Sequence, residues 1–497
     1  MSQSMQGKMA RGATWMLGFR LADRVLAFVS TIVLARLLVP ADFGLVAMAM
    51  SIIAMIELAG AFSFEVPLIQ RASPTRDHYD TTWTLRLLFS LLCAGLTVAL
   101  AWPAASFYSD DRIAPIMVVL AASWLLEGFE NIGTVNFRRE MDFRREFTFM
   151  FVKRVIGVTV TIGAALAFRS YWALIAGTVA GRAVGVALSY GMQSYRPRLS
   201  LAMWRELFGF SGWLFALNVL AFLHARLSHF VIGRTQGAGP LGLFTIASDF
   251  AALASSEITA PINRAVMPGL SRMTEEPNRI GPALLEVIVA TQIITLPAAF
   301  GLAAVAEPLV LTLLGSKWHA AVVPIQILAL AGALQSLIAA NYSGYLAIAK
   351  AHVPVIANTI FVISLIPLLY LLHDLGINGI ALAQLGAVSV VVGLNLVLVR
   401  RYFGLSLRAI ARGIARCFAA ALVMGAAVFA LVDQRFGLPD SIAPAIVLVL
   451  GVVAGATIYT ALVASLWSLA GRPASAEAAL FNRLRTIASD ALAKLRR

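Results

Sequence analysis

The chain has 497 residues, of which 60% are hydrophobic and only 13% charged, with a mean hydropathy of +0.84. An ordinary soluble domain carries about 25% charged residues, so a string of soluble domains is excluded. The net charge of +14 would raise the question of nucleic acid in a soluble protein, but here Lys and Arg sit mainly at the ends of apolar runs, where membrane topology accounts for them and no nucleic-acid partner is expected.

Apolar segments of about 20 residues, long enough to cross a hydrocarbon core of ~30 Å, recur along the whole sequence. They predict an all-α polytopic membrane protein; an outer-membrane barrel would alternate in segments of roughly 10 residues. About fourteen spans are expected, near residues 12–38, 43–64, 81–105, 113–135, 147–168, 171–192, 207–232, 241–262, 283–305, 322–348, 354–372, 377–399, 409–432 and 441–469. The first run follows Lys8 and Arg11 and is too long for a signal-peptide core, so it reads as a transmembrane helix. Cys93 and Cys417 lie in apolar runs and read as small buried residues.

With the N-terminus in the cytoplasm, inside loops and span ends hold 25 Lys and Arg against 6 outside. Cytoplasmic enrichment of this kind supports both the count and the orientation, with both termini cytoplasmic. The stretch NFRREMDFRREF, Asn136 to Phe147, falls inside between spans four and five. Its i, i+4 spacing predicts helical pairs Arg138–Asp142 and Glu140–Arg144 and a repulsive Asp142–Glu146 pair. Phe137, Phe143 and Phe147 are expected in the headgroup layer. The segment reads either as a topological anchor or as a contact for an anionic lipid-linked ligand.

A shift of 198 residues places Trp15 on Trp213, Ser30 on Ser228, Arg36 on Arg234, Gly44 on Gly242 and Leu45 on Leu243. Two six-span halves follow, parallel because an even number of spans returns the chain to the same side, around a central cavity. The expected organisation is an N-terminal lobe 1–200, a C-terminal lobe 201–402, two additional helices in 403–472 facing lipid or a partner, and a cytoplasmic amphipathic tail 473–497.

Charges at bilayer depth are costly, by at least ~2.5–3.5 kcal/mol, and so face protein or a watery cavity. Span one carries Arg20, Asp23 and Arg24; span two Glu57; span four Glu127 and Glu130; span five Lys153 and Arg154; span six Arg182. Arg20 and Glu57 lie at compatible depths, and Glu127 and Glu130 match Lys153 and Arg154. Arg24 and Arg182 have no evident acid at their own level beyond Asp23, as befits cations awaiting an anionic ligand, whose phosphate oxygens suit guanidinium forks. Arg20, Arg24, Arg154 and Arg182 are therefore the candidate substrate contacts. Glu57, Arg226, Asp249 and Glu257 are candidates for gating or ion coupling, with Arg226 and Asp249 at similar depth near the outside. His224 and His229, five apart, are poorly spaced for a metal, and no metal or cofactor is expected.

The sequence lacks GxxxxGK[ST] and HExxH, and no loop exceeds about 20 residues, so neither a motor nor a folded catalytic domain is expected. Pro115, Pro261, Pro297 and Pro367 are places where helices can bend.

The opening RGATWMLGFRLADRVLAFVSTIVLARLLVPADFGLVAMA, the turn from Arg36 to Gly44 and the Phe-Arg-Arg after span four resemble Wzx-type flippases, the polysaccharide branch of the multidrug/oligosaccharidyl-lipid/polysaccharide exporter superfamily. A more distant likeness is to the lipid II flippase, through RVLAFV (Arg24 to Val29) and GAFS (Gly60 to Ser63). There Ser30 and Thr31 stand where that family has Arg and Asp. The resemblance implies a secondary transporter rather than an enzyme, flipping an undecaprenyl-diphosphate-linked oligosaccharide across the inner membrane for exopolysaccharide or O-antigen assembly. It also implies Arg24 on the diphosphate and polysaccharide assembly proteins as partners. The alternatives are a drug exporter of the same superfamily and an integral-membrane glycan polymerase or ligase.

Overall fold

In a bilayer each backbone N–H and C=O must be satisfied within its own segment, and a helix does this without a neighbour. A computed structural model describes residues 2–59, 65–71, 73–207, 212–272, 277–350, 352–433 and 443–471, and among them there is no strand. The GAFS stretch and the tail 473–497 lie outside the described residues. The chain divides into two compact units, 1–242 and 243–497.

Unit 1 runs through α1 (Ser2–Leu37), α2 (Pro40–Ala59), α3 (Val66–Gln70), α4 (Arg76–Ala99), α5 (Ala101–Tyr108), α6 (Ile113–Phe129), α7 (Val135–Arg139), α8 (Phe143–Phe168), α9 (Trp172–Met192), α10 (Trp204–Leu207) and α11 (Gly212–Gln236). The start of α12 (Ala238–Leu253) also belongs to it. The pairs α8–α9 and α4–α6 are hairpin neighbours; α1 lies on α8, α9 on α6, and α11 on α2.

Unit 2 continues α12 and adds α13 (Ser256–Arg272), α14 (Pro277–Ala304), α15 (Ala306–Leu313), α16 (Val322–Ala347), α17 (His352–Leu372), α18 (Gly376–Phe403), α19 (Leu407–Val432) and α20 (Pro444–Leu469). Here α14 packs on α16 and α19, α16 on α18, and α20 on α19 and α15. Thus the last two helices have protein neighbours, and Tyr459 of α20 donates to the Ile293 carbonyl at 2.8 Å.

Among the described residues nine helical stretches are long and apolar enough to cross a membrane, or up to eleven if two bent pairs each count as one span. The all-α polytopic expectation holds, while the figure of fourteen exceeds this number. Helix α1 has ample length but carries Arg20, Asp23 and Arg24 in its middle.

Lipid tails are as apolar as leucine, so apolar burial alone does not bring these helices together; small residues and buried polar contacts do. Gly157 of α8 faces Gly177 and Gly181 of α9, and a Cβ on Gly177 would lie 1.6 Å from Thr161 Oγ1. In unit 2, Gln292 Nε2 donates to Ser336 Oγ at 2.6 Å and Asn341 Nδ2 to Asn395 Oδ1 at 2.6 Å, all four residues buried. Both free cysteines are buried, as expected.

The 198-residue repeat has a structural counterpart. A Cβ on Gly44 would lie 1.7 Å from the Ala238 carbonyl oxygen, and one on Gly242 would lie 1.8 Å from the Pro40 carbonyl oxygen. Pro40 and Ala238 are themselves 198 apart, as are Gly44 and Gly242. The contact is therefore reciprocal, backbone on backbone, with glycine wherever the other strand of the crossing needs room.

The NFRREMDFRREF segment differs from expectation. Met141 adopts φ 57°, which ends α7 and lets α8 start afresh at Phe143. The i, i+4 register is lost there. Arg138 instead reaches Glu146 at 2.5 Å and Glu65 at 3.6 Å. Asp142 caps α8 by accepting from the Arg145 N–H at 3.2 Å. Phe137 is buried in the protein, and Phe147 packs on Trp15 and Phe19.

Candidate functional site

Helix α6 ends at Phe129, and the chain turns by 63° before continuing through residues 132–139. Asn131 builds the turn. Its Oδ1 accepts from the Gly133 N–H at 2.9 Å, its Nδ2 donates to the Tyr195 carbonyl at 2.7 Å, and its own N–H donates to Ser189 Oγ at 2.9 Å. Backbone groups freed by the break are thereby satisfied. The turn carries Glu130 into the protein, where it is 7% exposed.

Beside this turn lies a cavity of about 770 Å³. Helix α1 lines it with one face, Phe19, Asp23, Ala27, Ser30 and Leu34, and α8 and α9 supply most of the remainder. The close glycine contact of α8 and α9 leaves Lys153, Arg154 and Arg182 at the cavity wall. Gly185 is part of this arrangement, since a Cβ there would lie 2.9 Å from Lys153 Cε.

The wall is not a bare cationic surface. Its bases, Arg138, Lys153, Arg154 and Arg182, are matched by the acids Asp23, Glu65, Glu130 and Glu146. Lys153 Nζ lies 2.8 Å from Glu130, and Arg154 Nε lies 2.9 Å from Asp23. Arg86 bridges Glu65 at 3.3 Å and Glu130 at 3.7 Å. Arg182 pairs with Glu127, donates to the Ser123 carbonyl at 3.2 Å and lies over the Trp124 ring. This corrects the expectation that Arg182 has no acid partner: α9 packs on α6, so Glu127 faces it rather than a cation of α8. Arg154 likewise takes its acid from α1 and not from α6.

Arg20 and Arg24 are exposed on α1, each one position on from a lining residue, hence about 100° around the helix from the cavity-facing stripe. Glu57 stands on α2 and Arg226 on α11, helices that pack on each other. Asp249 and Glu257 lie on α12 and α13, on either side of a 43° bend. Among the described residues no cluster of His, Cys, Asp and Glu could hold a metal.

Four contributors went unread in the sequence: Arg86, Glu65, Asn131 and the segment 193–203. Arg86 lay within a predicted span and so carried a usable signal. The segment 193–203 runs extended along the polar face of α4. Asp80, buried, accepts from the Tyr195 hydroxyl and from the Arg198 N–H at 2.8 Å. Thr84 Oγ1 accepts from Ser200 N–H at 3.0 Å, and Thr81 Oγ1 from Met203 N–H at 3.3 Å. Burial and the hydrogen bond to Asp80 push the Tyr195 phenol above its ordinary range.

Many apolar helices, with charges gathered around a cavity beside the break that ends α6, define a polytopic membrane protein. Within that class the chain belongs to the family described as polysaccharide biosynthesis protein, which matches residues 33–323. It is 24% identical over 360 residues to the lipopolysaccharide biosynthesis protein WzxC of Escherichia coli (strain K12), covering 71% of this chain and 72% of that one. It is 25% identical over 296 residues to the succinoglycan biosynthesis transport protein ExoT of Rhizobium meliloti (strain 1021), covering 59% and 60%. In fold it is similar to the lipid II flippase MurJ in an inward closed conformation, with a TM-score of 0.74 at 14% identity, over 91% of this chain and 99% of that one. The resemblance to an exporter-superfamily flippase, and to a transporter rather than a catalyst, is borne out.

Proposed function

We propose that this protein flips a polyprenyl-diphosphate-linked oligosaccharide, on undecaprenyl diphosphate, from the inner to the outer leaflet of the bacterial inner membrane by alternating access. Its termini are cytoplasmic in this reading, and its product feeds exopolysaccharide or O-antigen assembly, with assembly proteins as partners. The observation that carries the reading is the cavity of about 770 Å³ in unit 1, where guanidinium and ammonium groups stand at the wall, each paired with a carboxylate that an anionic headgroup must compete with. Family membership and the named relatives support the same substrate class.

In this scheme Arg154 and Arg182, with Arg20 and Arg24 on the adjoining face of α1, contact the diphosphate. Glu57, Arg226, Asp249 and Glu257 serve gating or ion coupling. The lobes 1–200 and 201–402, the added helices in 403–472 and an amphipathic tail 473–497 remain the proposed organisation.

Deleting the gene and analysing the lipid-linked intermediates tests this directly. Undecaprenyl-linked oligosaccharide should accumulate on the cytoplasmic side. Strong dye efflux with unchanged surface glycan would instead favour a drug exporter, and glycosyl transfer by the purified protein would favour a polymerase or ligase.

A further inference from the structure

The cations of the cavity wall are held in unequal ways. Glu146 and Glu130, which hold Arg138 and Lys153, have side chains only 6% and 10% exposed. Taking Arg138 from Glu146, or Lys153 from the carboxylate oxygen of Glu130 that it meets, would strip charge from nearly desolvated carboxylates, which is costly even though Arg86 still reaches Glu130. Arg182 has three separate groups on it, Glu127, the Ser123 carbonyl and the Trp124 ring. Arg154 differs from all of these. Among the described residues Asp23 is its one acid within salt-bridge distance, and the two side chains are 42% and 37% exposed. Both residues line the cavity.

An ion pair this open is weak, and its carboxylate can turn to water when released. A diphosphate brings more negative charge than a carboxylate and offers a fork of oxygens that a guanidinium binds through two parallel hydrogen bonds. We propose that Asp23 is an internal stand-in for the substrate: its carboxylate pairs with the Arg154 guanidinium and is displaced by the diphosphate of a lipid-linked ligand. Arg154 is then the exchangeable cation of the site, while Lys153 and Arg138 keep their acids. The stand-in neutralises the guanidinium between cycles and sets a competition that every ligand must win. This rests on the reading of the cavity as the headgroup site.

The test uses the full-length protein in nanodiscs, with farnesyl diphosphate and inorganic pyrophosphate as probes in titration calorimetry. D23N removes the competing charge and keeps the shape, so both probes should bind about two- to fivefold more tightly, the range expected from losing an exposed pair. R154Q should weaken both, and D23N/R154Q should bind like R154Q alone, because the gain acts through the guanidinium. D23A should reproduce the direction seen with D23N. If D23N binds either probe no better than the parent while R154Q binds worse, the stand-in is overturned and the cavity reading survives. If R154Q and K153M both bind like the parent, the cavity itself is not the headgroup site and the two ideas fall together. A gain confined to farnesyl diphosphate would also overturn the proposal, since the effect would then not lie at the phosphates.

Discussion

Lys153 Nζ on α8 meets Glu130 at 2.8 Å, and it does so only because α6 ends one residue before Glu130. Had the helix run on, the carboxylate would have followed the helical path instead of turning inward at Asn131.

Removing the buried partner of this pair leaves Lys153 and Arg86 facing each other. Glu130→Ala should therefore lower stability by about 2–4 kcal/mol, and a Lys153→Met/Glu130→Gln double variant should recover much of that loss. Denaturant titration in detergent, with level in the membrane as a second readout, checks both variants.

Two glycines of α9 should behave differently when given a methyl group. At Gly177 the new Cβ meets the Gly157 carbonyl at 2.7 Å as well as Thr161, so the helices must part. Gly177→Ala should cost about 1–3 kcal/mol and reduce the amount of folded protein. At Gly185 the obstacle is the flexible end of Lys153, which can move aside. Gly185→Ala should leave protein level unchanged while lowering surface glycan, measured by immunoblot and polysaccharide staining of one culture.

The extended segment after α9 is fastened to α4 through Asp80. Asp80→Ala strips acceptors from the Tyr195 hydroxyl and the Arg198 N–H and should cost about 1–3 kcal/mol. Arg198, followed by Leu199, is an exposed trypsin site within the fastened stretch, whereas the Arg196–Pro197 bond resists trypsin. Limited trypsin digestion should nick the variant there markedly faster than the parent; equal rates would show that Asp80 does not hold the segment.

Gly44 and Gly242 should be equally intolerant of enlargement, because each faces a backbone carbonyl that cannot swing away. Gly44→Ala and Gly242→Ala should each reduce folded protein to a similar degree, followed by fluorescence-detected size-exclusion chromatography.

Much of the helical architecture was legible because a bilayer permits few alternatives, and long apolar runs announce themselves. The place of each charge along its helix was legible too, since it follows from rise per residue. The partner of each charge was not. Glu127 stands at the level of Lys153 and Arg154 as well as Arg182, and only the packing of α9 on α6 decides between them. Nor could the break at Met141 be read, since methionine carries no preference for the left-handed region. Helical spacing therefore misassigned Arg138, whose acids come from eight residues ahead and from beyond another helix. The strap along α4 escaped notice because, the Tyr195 hydroxyl apart, its donors to α4 are backbone N–H groups, which no residue pattern displays.

The crossing of Pro40–Gly44 with Ala238–Gly242 carries a historical consequence. A self-complementary contact is the kind that two identical chains make when they associate about an axis. Finding it inside one polypeptide, at positions 198 residues apart, is the arrangement that tandem copying of a half-length gene would produce. On that history, a half-length chain would dimerise through the same glycine.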